Sequence, residues 1–275
     1  MNFGESGMEN VTFAFMLTAA AGLSTGFGSL TALFAKRDNT RFLSLAMGFS
    51  AGVMIFVSLT SLLPEAITAM REQCGKWNLA AAFAAFFAGV GITALIDMVV
   101  PDMENPHEMH RSQKDLNKLK KQNHDPKQLL RLGIVTAGVL ALHNFPEGLA
   151  TFISAMDEPK IAYSIALAIA LHNIPEGIAV YVPVFYATGS RRKAFVYSFL
   201  SGLAEPFGAV VGYFLLKDFF GASMFGATYA VIAGIMVYIS FDELLPAARE
   251  YGNHHLSILG LFAGMFLIAA SLALF

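Results

Sequence analysis

Two heptapeptides hold the residues of this chain best suited to chemistry: Leu142-His143-Asn144-Phe145-Pro146-Glu147-Gly148 and Leu171-His172-Asn173-Ile174-Pro175-Glu176-Gly177. They agree at six of seven positions and stand 29 residues apart, and another 29 leads from Glu176 to Glu205 in Ala204-Glu205-Pro206. His and Glu are four apart in each repeat, so on a helix they share a face. Imidazole plus carboxylate is the ligand set of a borderline divalent cation such as Zn²⁺, Fe²⁺, Mn²⁺ or Co²⁺, with zinc the best fit, whereas Cu(I) selects thiolates or thioethers. The sole cysteine, Cys74, can neither build a thiolate site nor close an intramolecular disulfide. Asn144 and Asn173 add neutral oxygens about 100° around the helix from the adjacent His. One helix can then present His and Glu to one ion, and Asn and Glu to a neighbouring one, with the glutamates shared.

The prolines point the same way. Pro146 and Pro175 have no N–H and so free the carbonyls of Leu142 and Leu171, and Pro206 does the same for Gly202. Within lipid, freed carbonyls and broken helices are tolerated where they line a cavity or bind an ion. A single membrane histidine is as often a packing or helix-bridging residue, and for the two asparagines interhelical hydrogen bonding is the competing reading. Repetition with Glu at i+4 and Pro between them favours ligation for the histidines.

The elements that must position these residues are membrane helices. The chain of 275 residues is 56% hydrophobic and 14% charged, with a mean hydropathy of +0.58. Soluble domains are nearer ~25% charged. The balance of 18 Lys+Arg against 20 Asp+Glu gives no basic field for nucleic acid. Uncharged runs of about 20 residues, enough to cross roughly 30 Å of hydrocarbon, occur at 11–34, 42–64, 77–96, 219–241 and 256–275. Three more, at 132–156, 161–186 and 194–216, are each interrupted by one carboxylate, namely Glu147, Glu176 and Glu205. Eight transmembrane helices are expected, in an all-α integral membrane protein forming a single domain over 1–275. Residues 1–10 carry no Lys or Arg, so the first run reads as a retained helix rather than a cleavable signal.

Of the cationic residues between helices, fourteen fall in odd-numbered loops and four in even-numbered ones. That asymmetry places the odd loops in the cytoplasm and both termini outside. The hydrophilic segment at about 102–130, with mixed charge and Pro106 and Pro126, reads as a cytoplasmic linker. With this topology the signatures lie at similar depth near the midplane. An ionised carboxylate there costs at least ~2.5 kcal/mol, and three at one depth repel. Helices four to six hold no Lys or Arg near these positions, so a bound cation is the expected offset.

Weaker candidates remain. Leu62-Leu63-Pro64-Glu65 is expected to close the second helix, and Asp242-Glu243-Leu244-Leu245-Pro246 the seventh. Because the two ends lie on opposite sides, they read as an inverted repeat of helices 1–3 and 6–8 around helices 4 and 5. Glu65 could serve an outer mouth and Asp242 or Glu243 an inner one; solvated helix ends explain them equally well, and Asp97 is equally undecided. His107, His110 and His124 in the loop, and His254 and His255, read as solvated side chains. Met47, Met54, Phe49 and Phe56 read as packing or lipid-facing residues.

The double His-Asn-x-Pro-Glu-Gly pattern resembles the signatures of the ZIP (Zrt-, Irt-like protein) family of divalent metal uptake transporters. Ser201-Gly202-Leu203-Ala204-Glu205-Pro206 is similar to the sixth-helix element of its bacterial ZupT-type branch. The resemblance covers essentially the whole chain and is weakest in the loop at 102–130, where many relatives carry a long His-rich run. It implies one metal site from His143, Glu147, His172 and Glu176, and an adjoining one from Asn144, Glu147, Asn173, Glu176 and Glu205. It also implies a homodimer and an elevator-like movement of a helix group that includes the fourth and fifth.

The function expected is uptake of zinc, with iron, manganese, cobalt or cadmium as lesser substrates, the metal being cargo and not a cofactor. No phosphate loop of the Gly-x-x-x-x-Gly-Lys-[Ser/Thr] type is present, so ATP is not the direct drive. An inward-negative potential favours a divalent cation by about 4.6 kcal/mol per 100 mV, twice the single-charge value. The alternative from another class is an intramembrane metal-dependent hydrolase, although the His-Glu-x-x-His arrangement is absent. A third reading is a metal-sensing membrane scaffold without flux.

Overall fold

The computed structural model describes residues 5–34, 40–99, 138, 141, 144–156, 159–216, 222–250 and 253–274. Helix accounts for nearly all of them, and no strand occurs among the described residues. Helix α1 is Glu5–Phe34. Helix α2 runs Thr40–Val57, through a π-turn at Ser58–Leu62, into Leu63–Ala69. Helix α3 is Asn78–Val99, α4 is described over 144–156 and α5 is Pro159–Thr188. Helix α6 comprises Arg191–Gly202 and Ala204–Leu216. Helix α7 runs Ala222–Ile239, through a second π-turn at Ser240–Leu244, into Leu245–Glu250, and α8 is His254–Leu274.

Six described stretches are long and apolar enough to cross a bilayer: Asn10–Leu30, Ser44–Ala69, Gly75–Met98, Arg191–Phe214, Phe225–Leu244 and His254–Ala273. Helix α5 has 30 residues, about 45 Å at ~1.5 Å per residue. Polarity is reversed relative to a soluble protein. Met98 is 80% exposed and Phe266 74%, while Glu147, His172 and Glu205 are 0% exposed. Large apolar side chains outside and carboxylates inside suit a hydrocarbon solvent. Met47 and Met54 are buried, with Phe49 and Phe56 packed against the same core, in keeping with a packing role.

Two boundaries correct the sequence reading. Glu65 does not close α2, which continues to Ala69, and Asp242 and Glu243 lie inside α7, within its π-turn. In both helices a proline follows the turn. Pro64 and Pro246 withhold the N–H that Thr60 and Asp242 carbonyls would otherwise take, and the widened turn carries the chain past the gap instead of ending it. There the Leu63 N–H bonds the Ser58 carbonyl and the Leu245 N–H bonds the Ser240 carbonyl, each five back. The break that Pro206 leads one to expect in the sixth helix falls at Leu203, one turn before the proline.

Glycines set how closely helices approach. Helix α2 packs on α8, and α3 on α7. A Cβ on Gly52 would strike the Leu261 carbonyl, and one on Gly264 the Phe49 carbonyl. In the other pair, Gly234 meets the Phe86 carbonyl and Gly89 the Val231 carbonyl. Without hydrophobic drive between helices in lipid, such close backbone contact is a main source of association.

Candidate metal centre

Helices α4, α5 and α6 bring their signature residues together in the interior. One ligand atom each from Glu147, His172 and Glu176 lie within 4.8 Å of one another, and all three residues are buried. His172 Nε2 stands 3.0 Å from Glu147 Oε2 and 4.0 Å from Glu176 Oε1. Metal bonds of about 2.0 Å at a tetrahedral angle separate two ligand atoms by about 3.3 Å, so these distances bracket the spacing of ligands around one ion. His172 Nδ1 lies 3.2 Å from the Ala168 carbonyl. Donation from Nδ1–H to that carbonyl leaves the Nε2 lone pair facing the carboxylates, the tautomer a metal ligand requires.

The asparagines are oriented by their amide nitrogens. Asn144 Nδ2 donates to the Ser201 carbonyl at 3.2 Å, and Asn173 Nδ2 donates to the Ala21 carbonyl at 2.9 Å and to Glu205 Oε1. With the nitrogens engaged, Asn144 Oδ1, Asn173 Oδ1 and Glu205 Oε2 remain buried without a hydrogen-bond partner among the described residues. Orphaned buried oxygens are costly, and all three are oxygen donors of the kind divalent cations accept. Close packing holds this arrangement, since a Cβ on Gly148 would strike the Glu205 carbonyl and one on Gly177 the Thr25 carbonyl.

Among the residues expected at the site, the structure gathers Glu147, His172 and Glu176 and joins Asn173 to Glu205. Asn144 is tied to α6 through Ser201. His143 lies outside the described residues, as do His107, His110, His124 and the 102–130 segment. Glu65, Asp97, Asp242 and Glu243 are half-buried and belong to α2, α3 and α7, with Tyr238 Oη 3.5 Å from Asp97 Oδ2. His254 and His255 are exposed, as solvated side chains should be. Sequence reasoning missed the part played by α1, whose Ala21 carbonyl fixes Asn173. The legible signal was the run of small residues Gly22, Thr25, Gly26 and Ser29, which is what a helix needs to sit close to another.

Against known families, the ZIP Zinc transporter profile matches residues 100–272. The chain belongs to the ZIP family. Similar proteins over full length include "Zinc transporter ZupT" of Clostridium perfringens, 51% identical over 285 residues covering 99% of both chains. The protein of that name from Streptococcus mutans is 52% identical, over 97% of this chain and 99% of its own, and that from Nitratidesulfovibrio vulgaris 53%, over 97% and 98%. ZIP proteins are transporters and not enzymes, so the hydrolase reading is withdrawn. Membership, with several spanning helices, makes this a multi-pass membrane protein.

Proposed function

We propose that the chain takes up divalent metal, zinc foremost, from outside into the cytoplasm, with Fe²⁺, Mn²⁺, Co²⁺ and Cd²⁺ as lesser substrates. The observation that carries this reading is the buried cluster of Glu147, His172 and Glu176, a nitrogen and oxygen cage at a depth where uncompensated charge is expensive. The first ion is held by His143, Glu147, His172 and Glu176. The second is held by Asn144, Glu147, Asn173, Glu176 and Glu205, the two glutamates bridging. The orphaned oxygens of Asn144, Asn173 and Glu205 support that second position.

In this account one domain spans residues 1–275 and crosses the membrane eight times, with both termini outside, a cytoplasmic loop at 102–130, and a homodimer as the working form. Helices 1–3 and 6–8 form an inverted repeat. Support comes from the matching Ser-x-x-x-Leu-Leu-Pro sequences that begin at Ser58 and Ser240, each opening a π-turn. Those serines are 182 apart. Moving α2 residues forward by 182 and α8 residues back by 175 converts the Gly52–Leu261 contact into Gly234–Phe86, and Gly264–Phe49 into Gly89–Val231.

The test is zinc accumulation by proteoliposomes containing only this chain, under an imposed inward-negative potential. Saturable uptake that grows with the potential is expected. Zinc bound by the purified protein without accumulation in the vesicles would favour the scaffold reading and refute transport.

A further inference from the structure

The relation between the two signatures reaches a helix that neither of them occupies. Gly148 on α4 meets the Glu205 carbonyl, and Gly177 on α5 meets the Thr25 carbonyl. Gly208 meets the Phe145 carbonyl and Gly28 the Ile174 carbonyl. Asn144 donates to Ser201, and Asn173 to Ala21. In every case an α4 residue becomes its α5 counterpart 29 positions on, while an α6 residue becomes its α1 counterpart 180 positions back. The same operation carries Glu205 to Thr25. Local packing agrees: a Cβ on Gly22 would lie 3.2 Å from Glu205 Cβ, and one on Gly202 would lie 2.8 Å from Thr25 Cβ.

Thr25 is fully buried, and its Oγ1 has no hydrogen-bond partner among the described residues. Helical threonines commonly return the hydroxyl to the carbonyl four back, as Thr18, Thr93 and Thr151 do here at 2.9–3.0 Å. For Thr25 that carbonyl belongs to Ala21, which instead accepts from Ser24 Oγ at 2.6 Å and from Asn173 Nδ2 at 2.9 Å. The carbonyl is therefore already taken by two donors, one of them a metal-site asparagine, and the Thr25 hydroxyl is left over.

We propose that Thr25 is the sixth oxygen donor of the second ion position and a determinant of which metals it accepts. This inference rests on the metal-site reading above. The position then consists of three related pairs, Asn144 with Asn173, Glu147 with Glu176, and Thr25 with Glu205. Six oxygens suit harder ions of octahedral preference such as manganese, whereas the imidazole-containing first position suits zinc. Placing threonine opposite Glu205 withholds a fourth carboxylate from the pair of sites.

The test compares manganese and zinc uptake in proteoliposomes for Thr25→Val, Thr25→Ser, Glu205→Thr and the exchange variant Thr25→Glu/Glu205→Thr, with Glu176→Ala alongside. Thr25→Val should lower manganese uptake relative to zinc by about tenfold, the scale of perturbing a ligand's supporting groups, and Thr25→Ser should keep the original ratio. The exchange variant should recover manganese uptake lost in Glu205→Thr, because the carboxylate re-enters from the related position. An unchanged ratio in Thr25→Val, an equal loss of both metals that Thr25→Ser shares, or no recovery in the exchange would overturn the assignment of Thr25. Full uptake by Glu176→Ala would instead overturn the site on which it rests.

Discussion

His172 presents Nε2 to Glu147 while the Ala168 carbonyl holds Nδ1, so protons and metal compete for a single lone pair. Metal affinity should fall as the outer medium is acidified. At a clamped potential, the half-saturation concentration for zinc should rise between about pH 7.5 and 5.5, a range spanning the ordinary imidazole pKa. A flat profile would count against an outward-facing imidazole ligand. In the proposed two-ion arrangement Glu205 reaches only the second ion, so Glu205→Ala should weaken uptake less than loss of a bridging glutamate and change the order of preference among metals; equal and complete loss for every metal would contradict that division. That His172 and Glu176 face one another was legible in the sequence because a four-residue interval fixes a common helix face. The Ala21 contact and the orphaned Thr25 hydroxyl were not, since a backbone acceptor carries no residue signature and a threonine on an apolar helix looks like packing.

Between helices the decisive surfaces are glycines opposite carbonyls. Gly177→Ala would drive a Cβ into the Thr25 carbonyl, and overpacking of this kind costs about 1–3 kcal/mol. Thermal unfolding in detergent should show a lowered midpoint for Gly177→Ala. Gly91→Ala on α3, where a Cβ meets nothing within 4 Å, should leave the midpoint unchanged or raise it. Equal midpoints for the two variants would mean that α1 and α5 do not depend on this approach. Apolar run length located the helices. It did not locate their irregularities, because Pro64 and Pro246 read as ends when a wider turn allows the helix to continue. Pro206 signalled the disturbed α6, yet the interruption falls a turn earlier at Leu203, where the lost N–H is felt.

At the scale of the whole molecule, fourteen cationic residues in odd-numbered loops against four in even-numbered ones predict the orientation. A cysteine replacing Phe275 in a Cys74→Ser background should react with an impermeant maleimide added to intact cells. Reaction only after permeabilisation would reverse the topology. The proposed inverted repeat was visible in the sequence as Leu-Leu-Pro alone. Its reach to α1 emerged from equivalent contacts made by residues 180 apart, some of which, such as Thr25 and Glu205, differ in side chain. The central claim is that buried carboxylates shared by two helices bind the metal that crosses. It is tested most directly by zinc flux into proteoliposomes bearing the intact chain or Glu176→Ala, at matched protein content and imposed potential. Saturable uptake by the first and only leak-level uptake by the second is expected, and near-normal flux through Glu176→Ala would contradict the account.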